Sequence, residues 1–420
     1  MQNAEAKRAL KLASIVIAGA LLEWLGATNY LWVFPLVFPG LGLWLLFACG
    51  DILLLRSAFS GIEQARLLLW GTGLSLFAAY GGFPLTGVFL VLAPAALWAL
   101  SRHGNRILLK AAVPVLFFIF FLGHDENFFH WNLDQKNLGW RFSVHLVALF
   151  AFFRACSWLA AVAGRGERPS FTATMEYFIA PAFWLSPLHA SHLIWARMQE
   201  ETHEEGDAFL WIVRGLFHAV CLSLVCRLAL PWLGGLYGGG IKQIFWYEWL
   251  SLGPVLFLLA YLDKSQVSYL VAGFLRLSGK NIEPDFRSPW LAFDLLDYWR
   301  RFHYWLWEFY MDVLYPILLV PLSRRMRAEF ALPLALFFSF SLGTGSGHFL
   351  SYRAGLGMSL ALGAFFGLAT MLHYYLRLPL KSRWIGIPAT WLTIFLLYSL
   401  AYPVFGLGWG FAEFRQFFGS

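Results

Sequence analysis

Apolar stretches follow one another along almost the whole chain, with few charged residues to interrupt them. Of its 420 residues only 13% are charged and 59% are hydrophobic, against about 25% charged in an ordinary soluble domain. Mean hydropathy is +0.62. Such a chain folds in a bilayer, where each backbone polar group must find its partner inside the protein and helices are the simplest solution. A crossing needs about twenty apolar residues. On that criterion helices fall near 10–27, 30–55, 66–81, 83–101, 107–123, 138–163, 171–189, 207–234, 245–262, 266–278, 302–322, 329–350, 356–378 and 384–411. Several are too short or too interrupted to span. The expectation is an all-α polytopic membrane protein with roughly 10–13 transmembrane helices plus interfacial or re-entrant helices. Aromatics make up 19% of the chain, with 21 Trp, which suits anchoring at membrane interfaces.

The net charge of +7 is scattered. Its clusters lie at segment ends: Lys7, Arg8 and Lys11; Arg102, Arg106 and Lys110; Arg324, Arg325 and Arg327; Lys381 and Arg383. This is a topology signal and not a nucleic-acid surface. The basic start followed by an apolar run from Leu12 reads as a first transmembrane helix in place of a cleaved signal. A multi-pass protein of a cell inner (cytoplasmic) membrane is expected. Cys49, Cys156, Cys221 and Cys226 form no CxxC pair and read as buried bystanders. His189 and His192, three apart, and His203 beside Glu204 and Glu205 lack a third ligand at firm spacing, so no metal is expected. His124 and His130 lie in a polar loop, and no nucleotide-binding motif stands in a credible context. Neither a repeat nor a long linker divides the chain, so residues 1–420 read as one integral membrane domain.

The richest chemistry lies in 281–316, NIEPDFRSPWLAFDLLDYWRRFHYWLWEFYMDVLYP. Arg and Trp are concentrated there between membrane-length apolar runs. On a helix, residues three and four apart share a face, so Trp299 would lie with Phe302 and His303. An amphipathic helix resting in the interface is the structural reading of DYWRRFH. The functional reading adds that His303 is carried inward as the next apolar run begins. A second oddity is SLGTGSGHFLS, where His348 follows Gly343, Thr344, Gly345, Ser346 and Gly347. Closely spaced glycines let a backbone or a substrate approach. A neutral imidazole there can take a proton from a hydroxyl, or simply bond a carbonyl on a neighbouring helix. Ionisable residues inside a membrane are functional candidates by default.

The order of Phe286 and Pro289, then Trp299, Arg300, Arg301 and His303, then Asp312 and Tyr315, then a lone His348 in a Gly-rich segment resembles the membrane-bound O-acyltransferase (MBOAT) family. The likeness is to its bacterial branch, which includes the alginate acetylase and the D-alanyl transferase of teichoic acids. The two histidines are 45 positions apart (348 − 303), compatible with that branch. The resemblance is specific across about 281–350, the motif-bearing region; MEYFIAPAFWLSPLH at 175–189 matches faintly, and the first 170 residues match in hydropathy only. Phe302 replaces the usual second Trp, and Gly347 stands where the branch usually has Trp before its histidine. Loss of that indole enlarges the acceptor side of the site.

The resemblance implies a ring of tilted helices around a central tunnel. It implies an acyl thioester donor, on coenzyme A or an acyl carrier protein, entering from the cytoplasm. It implies a glycan, glycolipid or lipid acceptor, with no bound cofactor, and an accessory periplasmic or carrier protein as a partner. His348 and His303 would be the catalytic residues, as base on the acceptor hydroxyl and as the group orienting the partners. Trp299, Arg300, Arg301, Asp312 and Ser346 would bind substrate. Two alternatives stay open at this point: acyl transfer to a small or lipid-linked alcohol or amine on the cytoplasmic side, and a non-catalytic transporter or scaffold. Inverted halves would favour a transporter. Here the halves differ and the ionisable residues crowd into 283–353, which favours the enzyme.

Overall fold

A computed structural model describes residues 2–24, 41–55, 61–80, 84–103, 108–109, 111–112, 115, 154–184, 205–238, 246–352, 356–376 and 383–405. These are helical nearly throughout, with no strand among the described residues. Four helical segments are long and apolar enough to cross a membrane: Leu85–His103, Asp207–Ala229, Gly253–Leu277 and Tyr304–Ser323. The all-helical class expected from hydropathy is present, with four described segments of span length and composition; most of the helix expected at 107–123 and much of that at 138–163 lie outside the described residues.

The chain forms two compact units, residues 1–223 with 265–284, and residues 224–264 with 285–420. In the first lie α1 (Gln2–Trp24), α2 (Leu41–Leu55), α3 (Ile62–Tyr80), α4 (Pro84–His103), α5 (Cys156–Ala160) and α6 (Phe171–Ile179), with parts of α7 (Glu205–Gly238) and α8 (Trp246–Leu277). Its interior is held by charge as well as by apolar packing. Asp51 on α2 accepts from Arg66 Nε on α3 at 2.8 Å and from Trp70 Nε1 at 2.8 Å. Arg66 also reaches Glu176 on α6 at 3.4 Å, and Lys280 completes the chain to Glu176 at 3.2 Å. Two acids and two bases thus alternate, which is the condition for tolerable buried charge. Trp44 adds a 2.7 Å bond from Nε1 to Pro181 O. On α7, His218 Nδ1 lies 2.6 Å from Ser265 Oγ on α8, and its ring stands edge-on to Tyr269. This pair links two membrane-length helices through a part-buried polar contact that the sequence pattern does not reveal.

Helix α8 runs unbroken through 246–277, where the sequence predicts two helices, 245–262 and 266–278, separated at 263–265. Asp263 pairs with Lys264 at 3.2 Å, and Ser265 and Gln266 are fully buried, so the polar run is interior and does not end the helix.

The second unit carries α9 (Leu295–Phe302), α10 (Tyr304–Phe309), α11 (Tyr315–Ser323), α12 (Ala328–Tyr352), α13 (Leu356–Leu376) and α14 (Arg383–Phe405). A five-residue π-helical turn, Tyr310–Leu314, joins α10 to α11. The core here is aromatic. Phe257 of α8 meets Phe302 of α9 at 5.7 Å and Trp391 of α14 at 4.7 Å between ring centres. Helices α12 and α13 are joined by three residues and pack closely: a Cβ on Gly367 would lie 2.7 Å from the Phe337 carbonyl oxygen.

Candidate functional site

Residues 281–303 do not form one helix. An irregular stretch leads to a short 3₁₀ turn, Pro289–Leu291, and then to α9. Asp294 caps α9, its side chain accepting from Asp297 N at 2.7 Å. Asp297 then pairs with Arg301 one turn on, with Nε 2.8 Å from each carboxylate oxygen. Acid in the first turn and arginine in the last both suit the helix dipole. Leu295, Tyr298 and Phe302 form the buried face. At ~1.5 Å per residue these eight residues reach only ~12 Å, far short of a ~30 Å hydrocarbon core. The segment is therefore too short to stand across a membrane.

The helix stops at His303, whose backbone (φ −150°, ψ 69°) is non-helical, and a new helix starts at Tyr304. The break is clamped by the segment 285–287. Arg287 N donates to Arg301 O at 2.8 Å, and Tyr304 N donates to Asp285 O at 3.0 Å. The Asp285 carboxylate accepts from Trp305 N through Oδ1, so it serves as the cap of α10 from twenty residues away. Its Oδ2 lies 2.7 Å from His303 Nδ1. His303 retains 15% of its side-chain surface and Asp285 only 6%. Phe286 and Phe302 flank the imidazole at 4.9 and 5.4 Å. The Arg287 guanidinium sits over the Tyr304 ring at 3.5 Å. Ser288 adopts φ 52°, a left-handed conformation costly for a residue with a Cβ and found where the surroundings impose it.

The sequence-derived candidates separate in this setting. His303, Trp299 and Arg301 lie within this one constellation. Trp299 donates from Nε1 to Thr370 Oγ1 at 3.2 Å and packs against Phe340 and Phe366. Arg301 is engaged by Asp297, and its Nη1 reaches Arg287 O at 3.4 Å. Arg300 is exposed, with no ion-pair partner among the described residues. Asp312 sits, half-buried, in the π-helical turn, a distortion that often marks functional positions. His348 and Ser346 lie on the backbone of α12, and their side chains fall outside the described residues. The same holds for His124, His130, His189, His192 and His203. Among the described residues no group of three His, Cys, Asp or Glu side chains is placed to hold a metal.

Sequence reasoning missed Asp285 and Thr370. Asp285 stood in the polar run KNIEPDFRSP as one acid among several. Its only local signal is its position between Pro284 and Phe286, both buried in the structure.

The carboxylate–imidazole pair can orient a hydroxyl or exchange a proton in a half-buried setting of aromatic rings. Comparison with models of known protein families finds no match, and comparison with curated proteins finds none either.

Proposed function

We propose that this chain is a membrane-embedded O-acyltransferase of the MBOAT type. It moves an acyl group from a cytoplasmic thioester to a hydroxyl of a glycan, glycolipid or lipid at a bacterial inner membrane. The observation that carries the reading is His303, held by a buried carboxylate at a helix break, at the threshold of a membrane-length helix and following Trp299 and Arg300 in the chain.

In the proposed reaction a base takes the proton of the acceptor hydroxyl. The oxygen attacks the thioester carbonyl carbon, the C–O bond forms and the C–S bond breaks. The proton ends on the departing thiolate. His348 is the base and His303 orients the partners. Arg300, without an ion-pair partner among the described residues, meets the anionic donor. Arg301 contributes mainly by holding α9 in register. Trp299, Asp312 and Ser346 complete the substrate walls. Holding both substrates in a reactive arrangement supplies a large part of such catalysis, and base catalysis adds ~10²–10⁴-fold.

The test is consumption of acetyl-coenzyme A and of acyl carrier protein thioesters by membranes that express the chain, read as free thiol released. Acceptor-dependent thiol release that is lost in His303→Ala supports the reading. Equal release by membranes with and without the chain sinks it.

A further inference from the structure

We propose that Asp285 is a positioning residue that holds His303 as its neutral Nδ1–H tautomer, leaving Nε2 to accept a hydrogen bond from an O–H or N–H of the acceptor other than the one His348 deprotonates. The substrate in this statement rests on the acyltransferase reading; the tautomer does not.

An ionised carboxylate only accepts hydrogen bonds. Asp285 Oδ1 already takes the Trp305 N–H, and Oδ2 faces Nδ1 at 2.7 Å. The proton in that contact belongs to the imidazole, so the lone pair of neutral His303 lies on Nε2. The ring has little freedom to turn away, since Phe286 and Phe302 flank it and the Asp285 carbonyl pins the next backbone N–H. The carboxylate is nearly closed off while the imidazole keeps an open edge.

This geometry decides what His303 can touch. A lone pair on Nε2 cannot donate to a thioester carbonyl. It receives O–H or N–H. His303 therefore orients the acceptor through a second O–H or N–H, the reacting proton is left to His348, and activation of the carbonyl falls to other groups. A polyhydroxy acceptor such as a glycan fits this arrangement, and so does a primary amine.

Asp285→Asn separates the two duties of the residue. The Asn oxygen still accepts from Trp305 N and keeps the helix start. Its NH₂ then faces His303 Nδ1, forcing that nitrogen to accept and the proton onto Nε2. Imidazole ¹⁵N spectra of histidine-labelled protein in nanodiscs, assigned by difference with His303→Ala, read the tautomer without any reaction. The expected result is Nδ1–H in the native protein and Nε2–H in Asp285→Asn. Turnover should fall ~10²–10⁴-fold with little change in KM for the thioester, and Asp285→Glu should recover part of it. An Nε2–H native tautomer, or full turnover in Asp285→Asn, overturns the proposal. If Asp285→Asn fails to fold, the native spectrum alone decides the tautomer. Absence of acyl transfer alongside a native Nδ1–H tautomer would overturn the proposed reaction and leave the Asp285–His303 assignment standing.

Discussion

Asp51→Ala is the most informative change away from the candidate site. It deletes a carboxylate that is 4% exposed and accepts three contacts, from Arg66 Nε at 2.8 Å, Arg66 Nη2 at 3.3 Å and Trp70 Nε1 at 2.8 Å. Removing one partner of a buried ion pair costs ~3–5 kcal/mol, because the other charge stays buried. The orphaned indole N–H adds a penalty of ~1–3 kcal/mol. Against this, Arg66 keeps Glu176 at 3.4 Å and its stacking over Trp70. The losses share one arginine and do not add, so the net expectation is ~3–4 kcal/mol. Equilibrium unfolding in mixed SDS and dodecylmaltoside micelles measures it. Pairing the change with Arg66→Met should recover ~1–3 kcal/mol, since both charges then leave together. A cost for Asp51→Ala below ~1 kcal/mol would mean that this network is solvated like a surface pair, and the reasoning would fail.

Three further outcomes are expected. His348→Ala should lower acyl transfer by at least ~10²-fold with normal membrane insertion, read from labelled-product yield at matched expression; full activity would remove it as the base. Arg300→Ala should raise KM for the anionic donor with normal stability, whereas Arg301→Ala should lower the unfolding midpoint by loosening α9, because only Arg301 is engaged by Asp297; steady-state kinetics and thermal melts tell the two apart. Gly367→Val should destabilise by ~1–3 kcal/mol, since its Cβ would press on the Phe337 carbonyl and the Ser341 hydroxyl of α12; unchanged unfolding would show that the α12–α13 contact has slack.

Hydropathy made the helical class legible, because apolar length needs no knowledge of partners. It failed at one place for a physical reason. At 263–265 a polar run looked like a gap, yet Asp263 and Lys264 neutralise each other and the helix continues. The helix expected from 302 starts at Tyr304, but the acid from outside the helix that holds the start open at His303 was not legible in the pattern. Of the candidate site, the residue types and spacing of Trp299, Arg301 and His303 were readable locally. Asp285 was not, because the contact closes an eighteen-residue separation that follows no helical period. The different duties of Arg300 and Arg301 also emerged only when Asp297 was seen to choose one of them.

The central claim is transfer, and the most direct measurement follows the acyl carbon. Purified protein in nanodiscs receives ¹⁴C-acyl thioester together with bacterial lipid and glycan fractions, and the label is traced by extraction and mild alkaline release. The account predicts alkali-labile label in an acceptor fraction with the native protein and its loss in His303→Ala at matched protein levels. Label that stays on the thioester, or that reaches acceptors equally with His303→Ala, would contradict it.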